Sequence, residues 1–158
     1  MGNKTLKIFP AQTDKDFEIA KKLFVGYADS LGFDLAFQDF QQELDNLAEY
    51  YNLPDNCLML VKYKGQIVGC VGLKRFSDEI CEMKRLYVRP QFQGLGIGRA
   101  LAQAVIEQAR KIGYTHMRLD FIAPRVSETL YKSLGFTEIA PYEDIPIAGS
   151  KFMELKLA

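Results

Sequence analysis

A glycine-rich stretch in the second half of the chain constrains the fold more than any other feature. Apolar residues alternate there with three glycines, Gly94, Gly96 and Gly98. An apolar run ending at Val88 precedes them, and an amphipathic run over residues 100–112 follows. This order predicts a strand, a tight turn and the start of a helix. Glycines lack the Cβ atoms that would keep a ligand off the backbone. The first turn of a helix has unpaired N–H groups and a partial positive charge, so the stretch predicts a pocket for a phosphate or pyrophosphate.

Two familiar phosphate-binding loops fit this stretch poorly. A Walker loop ends in Gly-Lys-Ser/Thr, whereas Arg99 and Ala100 follow the last glycine. A dinucleotide fingerprint has the form G-x-G-x-x-G/A, and neither Gly94 nor Gly96 begins that spacing. Asp120 lies about twenty residues downstream, where a ribose-binding acid is expected. A nucleotide-binding module of the dinucleotide type therefore stays open as an alternative.

A third form, Q/R-x-x-G-x-G/A, is met by Gln93, Gly96 and Gly98. The segment Leu-Tyr-Val-Arg-Pro at residues 86–90 precedes it, and Leu-Tyr-Lys-Ser-Leu-Gly-Phe at residues 130–136 follows it. With these segments the sequence resembles the GNAT family of N-acetyltransferases, over roughly residues 57–157. The resemblance implies an acyl-CoA N-acyltransferase-like fold, acetyl-CoA as co-substrate without a metal, and transfer of an acetyl group to an amine.

Composition and charge are those of an ordinary globular protein. The chain has 158 residues, 48% apolar and 25% charged, with a formal net charge of zero. We therefore expect one domain over residues 1–158. The balanced charge argues against a nucleic-acid partner, and no stretch reaches the ~18 apolar residues of a membrane span. Because the N-terminus lacks the apolar core of a secretion signal, we expect a cytoplasmic protein without a membrane partner.

Cysteine and histidine usage agrees with this expectation. The three cysteines, Cys57, Cys70 and Cys81, lie in apolar runs, which favours buried, reduced thiols of a cytosolic protein. His116 is the one histidine, and no metal-ligand spacing surrounds it. The sequence therefore argues against a metal site.

Local signals predict the element order β-α-α-β-β-β-α-β-α-β-β, a mixed α/β fold. Thr13 is a suitable N-cap with Asp16 three residues later, and Gly32 is a suitable C-cap. Lys64-Gly65 fits a two-residue hairpin turn. We expect an antiparallel N-terminal meander and a splayed central pair of parallel strands. The expected helices cover residues 13–31, 37–51, 96–111 and a segment from Pro124 to Gly135, and the expected strands cover residues 6–9, 57–63, 66–73, 79–88, 117–121, 136–140 and 152–157.

The strand before the glycine turn carries a break in its alternation. Cys81 and Met83 share one face, but Leu86 and Val88 have the opposite parity. One extra residue flips the alternation of side chains, so the pattern predicts a β-bulge. The GNAT resemblance implies the same feature, because the family's central strand is bulged where acetyl-CoA inserts.

The resemblance also implies a set of cofactor-binding residues. The backbone at the end of the strand pairs with the pantetheine arm, and the N–H groups of the turn hold the pyrophosphate. The backbone N–H of Val88 is the expected donor to the carbonyl oxygen in the transition state. Arg99 has an alternative interpretation as a solvated helix residue. The set is Leu86, Tyr87, Val88, Gln93, Gly94, Leu95, Gly96, Ile97, Gly98 and Arg99.

Two side chains are candidates for proton transfer. Tyr131 matches the family's helix tyrosine, which implies a general acid beside the departing sulfur; its alternative is a ring packed against Phe136. Glu82, an acid within an apolar strand, is the candidate general base, because an alkyl ammonium near pKa 10 must lose a proton before attack. A salt bridge to a neighbouring Lys84 or Arg85, or simple exposure to solvent, is its alternative. Glu79 is a weaker candidate base.

The sequence leaves the acceptor open. We expect a primary amine of a small molecule; the alternatives are a protein or peptide amine, and a non-catalytic acyl-CoA-binding or sensing module.

Pro124 stands where many family members carry an asparagine that contacts the cofactor, and Arg125 beside it is also unusual. A homodimer is possible in principle, through the last strand or the helices. For two groups of residues, a role at the acceptor site and simple exposure to solvent are both open. These are the acids Asp39, Glu43, Asp45 and Glu49, and the late-loop residues Tyr142, Glu143 and Asp144.

Overall fold

A seven-stranded mixed sheet forms the centre of the protein in the computed structural model, which describes residues 6–32, 35, 39–122 and 126–157. The strand order is β1-β2-β3-β4-β5-β7-β6. The strands are β1 (Leu6–Pro10), β2 (Cys57–Tyr63), β3 (Gln66–Arg75), β4 (Ile80–Val88), β5 (His116–Ile122), β6 (Thr137–Ile139) and β7 (Ser150–Lys156), and the helices are α1 (Asp14–Leu31), α2 (Phe40–Asp45), α3 (Leu47–Tyr50), α4 (Ile97–Ile112) and α5 (Val126–Ser133).

The first helix begins and ends where its caps predict. The Thr13 hydroxyl accepts a hydrogen bond from the Asp16 N–H at 3.1 Å, and the Asp16 carboxylate accepts one from the Thr13 N–H at 3.2 Å. This reciprocal pair is a capping box. Gly32 ends the helix with a φ of 76°, a conformation that favours glycine. Both caps are confirmed.

The second expected helix is wrong as a single element. It divides into α2 and α3 at Asn46, whose φ is −135°. The Asn46 side-chain amide donates to the Gln42 carbonyl at 2.9 Å. An asparagine side chain that binds the local backbone competes with the helical hydrogen bonds, and periodicity alone does not reveal this. The expected start near residue 37 lies outside the described residues.

The antiparallel meander is confirmed. Lys64 and Gly65 both have positive φ, 52° and 82°, as a type I′ turn between twisted strands requires. They join β2 to β3 with Tyr63 opposite Gln66. The strand β1 adds to the outer edge of β2 in antiparallel register.

The bulge in β4 is confirmed, and a left-handed residue marks it. Cys70 pairs with Tyr87, and Gly72 pairs with Lys84, so two steps along β3 match three along β4. Arg85 lies within this irregularity with a φ of 58°. Such a conformation costs free energy in a residue other than glycine, so other contacts must stabilise it.

The splayed parallel pair is also confirmed. The strands β4 and β5 pair only from Ile80 opposite His116 to Glu82 opposite Arg118. Beyond Glu82, β4 continues to Val88 without a further β5 partner among the described residues. A gap in the sheet therefore opens at Glu82.

Two apolar clusters lie on opposite faces of the sheet. One fills the space beneath α4 and includes Leu101 and Val105; we call this side the α4 face. The other lies beneath α1 and includes Leu23 and Phe24; we call this side the α1 face. In the described part of the chain, no helix has the length and apolar character needed to cross a membrane.

Candidate active site

The glycine turn has open space and lies at the N-terminus of α4, where the first N–H groups of the helix have no acceptor within the helix. Gly94 and Gly96 have φ values of 81° and 82°, and a Cβ built on either glycine would meet nothing within 4 Å. Gly96 is the N-cap of α4 and supplies no side-chain acceptor. The Ala100 N–H bonds to the Gly96 carbonyl at 3.1 Å, so the N–H groups before Ala100 lie at the free end of the helix. The turn therefore fits a phosphate group.

Gln93 and Arg99 flank this turn in different ways. The Gln93 side chain donates to the Val88 carbonyl at 2.9 Å, which ties the turn to the end of β4. The Gln93 N–H donates to the Pro90 carbonyl at 3.4 Å, so it already has an acceptor. Arg99 donates to the Ser133 hydroxyl at 2.6 Å and is exposed to solvent. Leu95 is 55% exposed at the tip of the turn. The N–H groups after Gln93 remain the expected phosphate donors.

The strand end presents an open edge toward the gap. The side chains of Leu86 and Val88 pack with the α4-face cluster, and the Tyr87 ring lies 6.3 Å from the Tyr27 ring on the α1 face. Side chains on both faces thus fix the strand. The backbone edge that faces β5 lacks a strand partner beyond Glu82 within the described residues. Such an edge can pair with an extended ligand.

Tyr131 lies on the α4 face beside this gap. It is 8% exposed, and its ring centroid lies 5.7 Å from that of Phe121 on β5 and 5.9 Å from that of Phe136. The packing against Phe136 that the sequence suggested is therefore present. The contact with Phe121 also places the ring beside β5 beyond the last residue paired with β4.

Glu82 lies on the opposite face of the sheet. It is 6% exposed, and its Oε2 accepts a hydrogen bond from the Tyr142 hydroxyl at 3.0 Å. The described residues show no ion pair from Glu82 to Lys84 or Arg85. Glu79 is exposed and lies before the start of β4. The structure thus brings Glu82, but not Glu79, to the gap.

Three further polar side chains accompany Glu82, and motif reasoning assigned none of them to catalysis. Burial raises the pKa of Asp120 on β5, Lys84 lowers it and Glu82 raises it again. Burial and the charge of Glu82 also raise the pKa of Glu143. Burial, Glu82 and Asp120 raise the pKa of Tyr142. Together with the hydrogen bond from Tyr142 to Glu82, these mutual effects indicate an acid-rich wall on the α1 face, which we call by that name below. The parallel strand pairing could have identified Asp120, because Asp120 lies two residues beyond Arg118, the β5 partner of Glu82.

A buried ion pair anchors the bulge from the same face. Arg85 donates to both carboxylate oxygens of Glu43, from Nε at 3.0 Å and from Nη2 at 2.9 Å, and both side chains are 3% exposed. The Tyr51 hydroxyl donates to the same carboxylate at 2.8 Å. Burial raises the pKa of Glu43, but Arg85 outweighs it, so the pKa lies below its ordinary value. Glu43 is therefore not part of a solvated helix face.

The remaining expectations from the sequence concern Pro124 and Arg125, the cysteines and a metal site. Pro124 and Arg125 lie outside the described residues. The three cysteines are free and buried, and burial raises the pKa of Cys57 to about 11. Within residues 6–32, 35, 39–122 and 126–157, no three His, Cys, Asp or Glu side chains converge as metal ligands would.

Comparisons with known proteins agree with this geometry. The family model described as the acetyltransferase (GNAT) family matches residues 23–136. An uncharacterized N-acetyltransferase of Schizosaccharomyces pombe is 34% identical over 163 residues, which span 100% of this chain and 99% of that protein. N-acetylaspartate synthetase of Danio rerio is 33% identical over 110 residues, which span 68% of this chain and 39% of that protein.

The fold also occurs among solved structures. A protein of Salmonella typhimurium, determined with acetyl-CoA as its cofactor, superposes with a TM-score of 0.71 at 22% identity. The match covers 98% of this chain and 95% of that one. At this identity the likeness concerns the fold, which is a mixed sheet with the same overall arrangement.

Proposed function

The chain belongs to the GNAT acetyltransferase family, and on that premise we propose that it transfers the acetyl group of acetyl-CoA to a primary amine of a small molecule by direct attack. The observation that carries the proposal is the placement of Glu82 and Tyr131 on opposite faces of one gap in the sheet. An amine on the α1 face and a thiol on the α4 face would then each have a proton-transfer group beside them.

The co-substrate supplies an activated acetyl group, and the residues of this chain hold and orient it. The N–H groups from Gly94 to Arg99 bind the pyrophosphate, and the open edge of β4 at residues 86–88 pairs with the pantetheine arm. The open space before Gly94 and Gly96 supports this assignment. A backbone edge and a helix N-terminus recognise these groups without any charged side chain.

The reaction needs three proton transfers. Glu82 first takes a proton from the arriving ammonium and releases it to solvent, which leaves a neutral amine. The amine nitrogen then forms a bond to the thioester carbonyl carbon while the carbon–sulfur bond breaks, Glu82 takes a second proton from the nitrogen, and Tyr131 gives one to the departing sulfur. The Val88 N–H stabilises the carbonyl oxygen as it becomes negative. Glu82 returns its proton through water to Tyr131, so the products are the amide and free coenzyme A.

The acid-rich wall supports an acceptor that arrives as a cation. Glu82, Asp120 and Glu143 influence one another electrostatically, and an ammonium group would relieve their mutual repulsion. A second candidate acceptor is an amino acid with its own carboxylate. It is favoured by the similarity to N-acetylaspartate synthetase and by Lys84, which acts on both Asp120 and Glu143.

A thiol-release assay with acetyl-CoA tests the proposal. The panel contains primary diamines, aspartate and other amino acids, and a peptide with a free N-terminus. Turnover with a small amine, and little with the peptide, supports the proposal. Acetyl-CoA binding without turnover on any amine would instead favour an acyl-CoA-binding or sensing module.

Tyr131→Phe separates catalysis from packing, because it removes only the hydroxyl. We expect kcat to fall while acetyl-CoA binding persists. Tyr114→Phe is the matched control, since its buried hydroxyl donates to the Asp55 carbonyl at 2.8 Å, at the far end of α4. If both variants keep full turnover, Tyr131 is a packing residue.

We also propose a cytoplasmic location. Three free, buried cysteines support it, because reduced thiols are typical of that compartment.

A further inference from the structure

We propose that the protein has a second ligand site, on the α1 face, which binds a small organic anion with two or more negative charges. The site is a cavity of about 650 Å³ between the first half of α1, the strands β1 and β2, and the β2–β3 hairpin. Its size lies within the range of small-molecule sites, about 300–1,000 Å³. Five cationic side chains line it: Lys7, Lys15, Lys22, Lys62 and Arg89.

This cavity is distinct from the glycine turn. Side chains alternate along β1, so Lys7 and Phe9 point to one face of the sheet and Leu6 and Ile8 to the other. Phe9 packs with the cluster beneath α1 and lines the cavity. Leu6 and Ile8 instead border a separate groove beside Gly96. The sheet therefore separates the cavity from the pyrophosphate turn.

The positive charge in the cavity exceeds the negative charge of its lining. None of the five cations makes an ion pair within the described residues. Asp16 is the one acid lining this cavity. Its carboxylate already accepts the backbone N–H groups of Gln12 and Thr13 at 3.0 and 3.2 Å. Asp16 also interacts electrostatically with Lys62, so one acid faces five cations in the lining and most of the positive charge is left without an acid.

Two of the lysines face each other directly. Lys7 and Lys62 are register partners on the antiparallel strands β1 and β2. Like charges in directly opposite positions destabilise a sheet. An anion bound between the two lysines would attract both of them and offset their repulsion. A binding site for an anion therefore explains why two lysines lie opposite each other.

Arg89 supplies a second, independent observation. Its Nε is buried and has no hydrogen-bond partner among the described residues, and an unsatisfied buried donor costs free energy. Arg89 also borders the cavity, and its backbone N–H holds it to the Val68 carbonyl at 2.8 Å. A bound oxyanion beside Arg89 would provide a charged acceptor for its guanidinium.

The lining indicates which anions fit. Because five cations and one acid line the cavity, it favours a ligand that carries more than one negative charge. Phe9, Ile19 and Ile67 add apolar surface, which suits a carbon skeleton. Polycarboxylates and phosphate esters share this chemistry, and the binding experiment distinguishes the two sources.

Isothermal titration calorimetry at constant ionic strength tests the site with citrate, inorganic phosphate and acetate as probes. With the glycine turn filled by saturating acetyl-CoA, we expect one saturable site for citrate or phosphate and none for acetate. Binding of citrate alone assigns the site to polycarboxylates, and binding of phosphate assigns it to phosphoryl groups. The double variant Lys7→Gln/Lys62→Gln should weaken binding about tenfold or more.

A charge-matched control separates a built site from general attraction. Lys111→Gln/Lys156→Gln removes two exposed lysines away from the cavity and should leave binding unchanged. The proposal is overturned if neither multivalent anion binds, if both double variants weaken binding equally, or if saturating acetyl-CoA displaces the anion. Displacement would place the anion at the glycine turn instead.

Thermal unfolding distinguishes a lysine that binds the anion from a lysine that only stabilises the fold. Because Lys7 and Lys62 repel each other, Lys7→Gln should leave the Tm of the anion-free protein unchanged or raise it, and citrate should raise the Tm of the wild type more than that of the variant. A lower Tm of the anion-free variant would make Lys7 a structural residue and would overturn its place in the site. If the Lys7/Lys62 double variant does not fold, Lys15→Gln/Lys22→Gln on exposed positions of α1 takes its place with the same expected loss of binding.

Discussion

Replacing Glu43 with leucine should destabilise the protein more than any surface substitution on the same helix. The variant removes the partner of Arg85 and leaves the guanidinium buried at 3% exposure without its carboxylate. It also removes the acceptor of the Tyr51 hydroxyl. Arg85 has a positive φ of 58° at the bulge, so its contacts also stabilise an unfavourable backbone conformation.

The expected magnitude follows from this burial. Removing one partner of a buried ion pair costs about 3–5 kcal/mol, because it leaves an uncompensated charge in the interior. Domains of ordinary stability unfold with about 5–15 kcal/mol, so the variant loses a large share of the total. At about 2–4 °C per kcal/mol for a chain of this length, the Tm should fall by about 10 °C.

Chemical and thermal unfolding measure this loss, with a control on the same helix. Asp45 forms an ion pair with Lys21 at 3.9 Å, with side chains 56% and 51% exposed. Asp45→Ala should cost less than about 1 kcal/mol, because solvent screens an exposed pair. The triple variant Glu43→Leu/Tyr51→Phe/Arg85→Met should recover most of the stability, since apolar side chains replace the whole network.

Two results would refute this reasoning. If Glu43→Leu costs no more than Asp45→Ala, burial does not govern the strength of the pair. If the triple variant is no more stable than Glu43→Leu, the loss comes from the changed shape of the core and not from the removal of the carboxylate that Arg85 binds.

The remaining predictions concern pH and the active site. The folded-state pKa of Glu43 is lowered, so its contribution should be complete above the unfolded pKa, near 4.5, and should be lost as the pH falls through the folded value; a Glu43→Gln variant should show a smaller loss of stability over that range. Glu82→Gln should lower kcat about 10²–10⁴-fold near neutral pH, whereas Glu79→Gln, at an exposed position, should not. Tyr131→Phe should lower kcat with little change in the KM for acetyl-CoA, measured by thiol release. Gly96→Ala should raise that KM, because its φ of 82° strains a side chain and its Cβ enters the open space before the turn.

Local signals predicted much of the fold. The Thr13 capping box, the Lys64-Gly65 turn and the glycine at the start of α4 each depend on residues within one turn of chain. The bulge was visible as a change of parity between Met83 and Leu86, because alternation records every extra residue in a strand. The Asn46 break was missed, since the asparagine side chain overrides a helical pattern that continues on both sides of it.

The candidate active site was predictable only in part. Resemblance to a family directed attention to Tyr131 and to the turn from Gln93 to Arg99, and the structure places both beside one gap. The hydrogen bond between Glu82 and Tyr142 joins residues 60 positions apart, and no local pattern predicts it. The same is true of Asp120, which enters the acid-rich wall through the parallel register with β4.

By itself, the amino-acid sequence determined where elements begin, end and change parity, because caps, turns and alternation act between neighbours in the chain. Only the tertiary structure decided which charges are buried together. Arg85 and Glu43 are 42 positions apart, and Lys7 meets Lys62 only when β1 joins the edge of β2. The energy of a charge depends on its partners and on its distance from water, and both quantities exist only after the chain has folded.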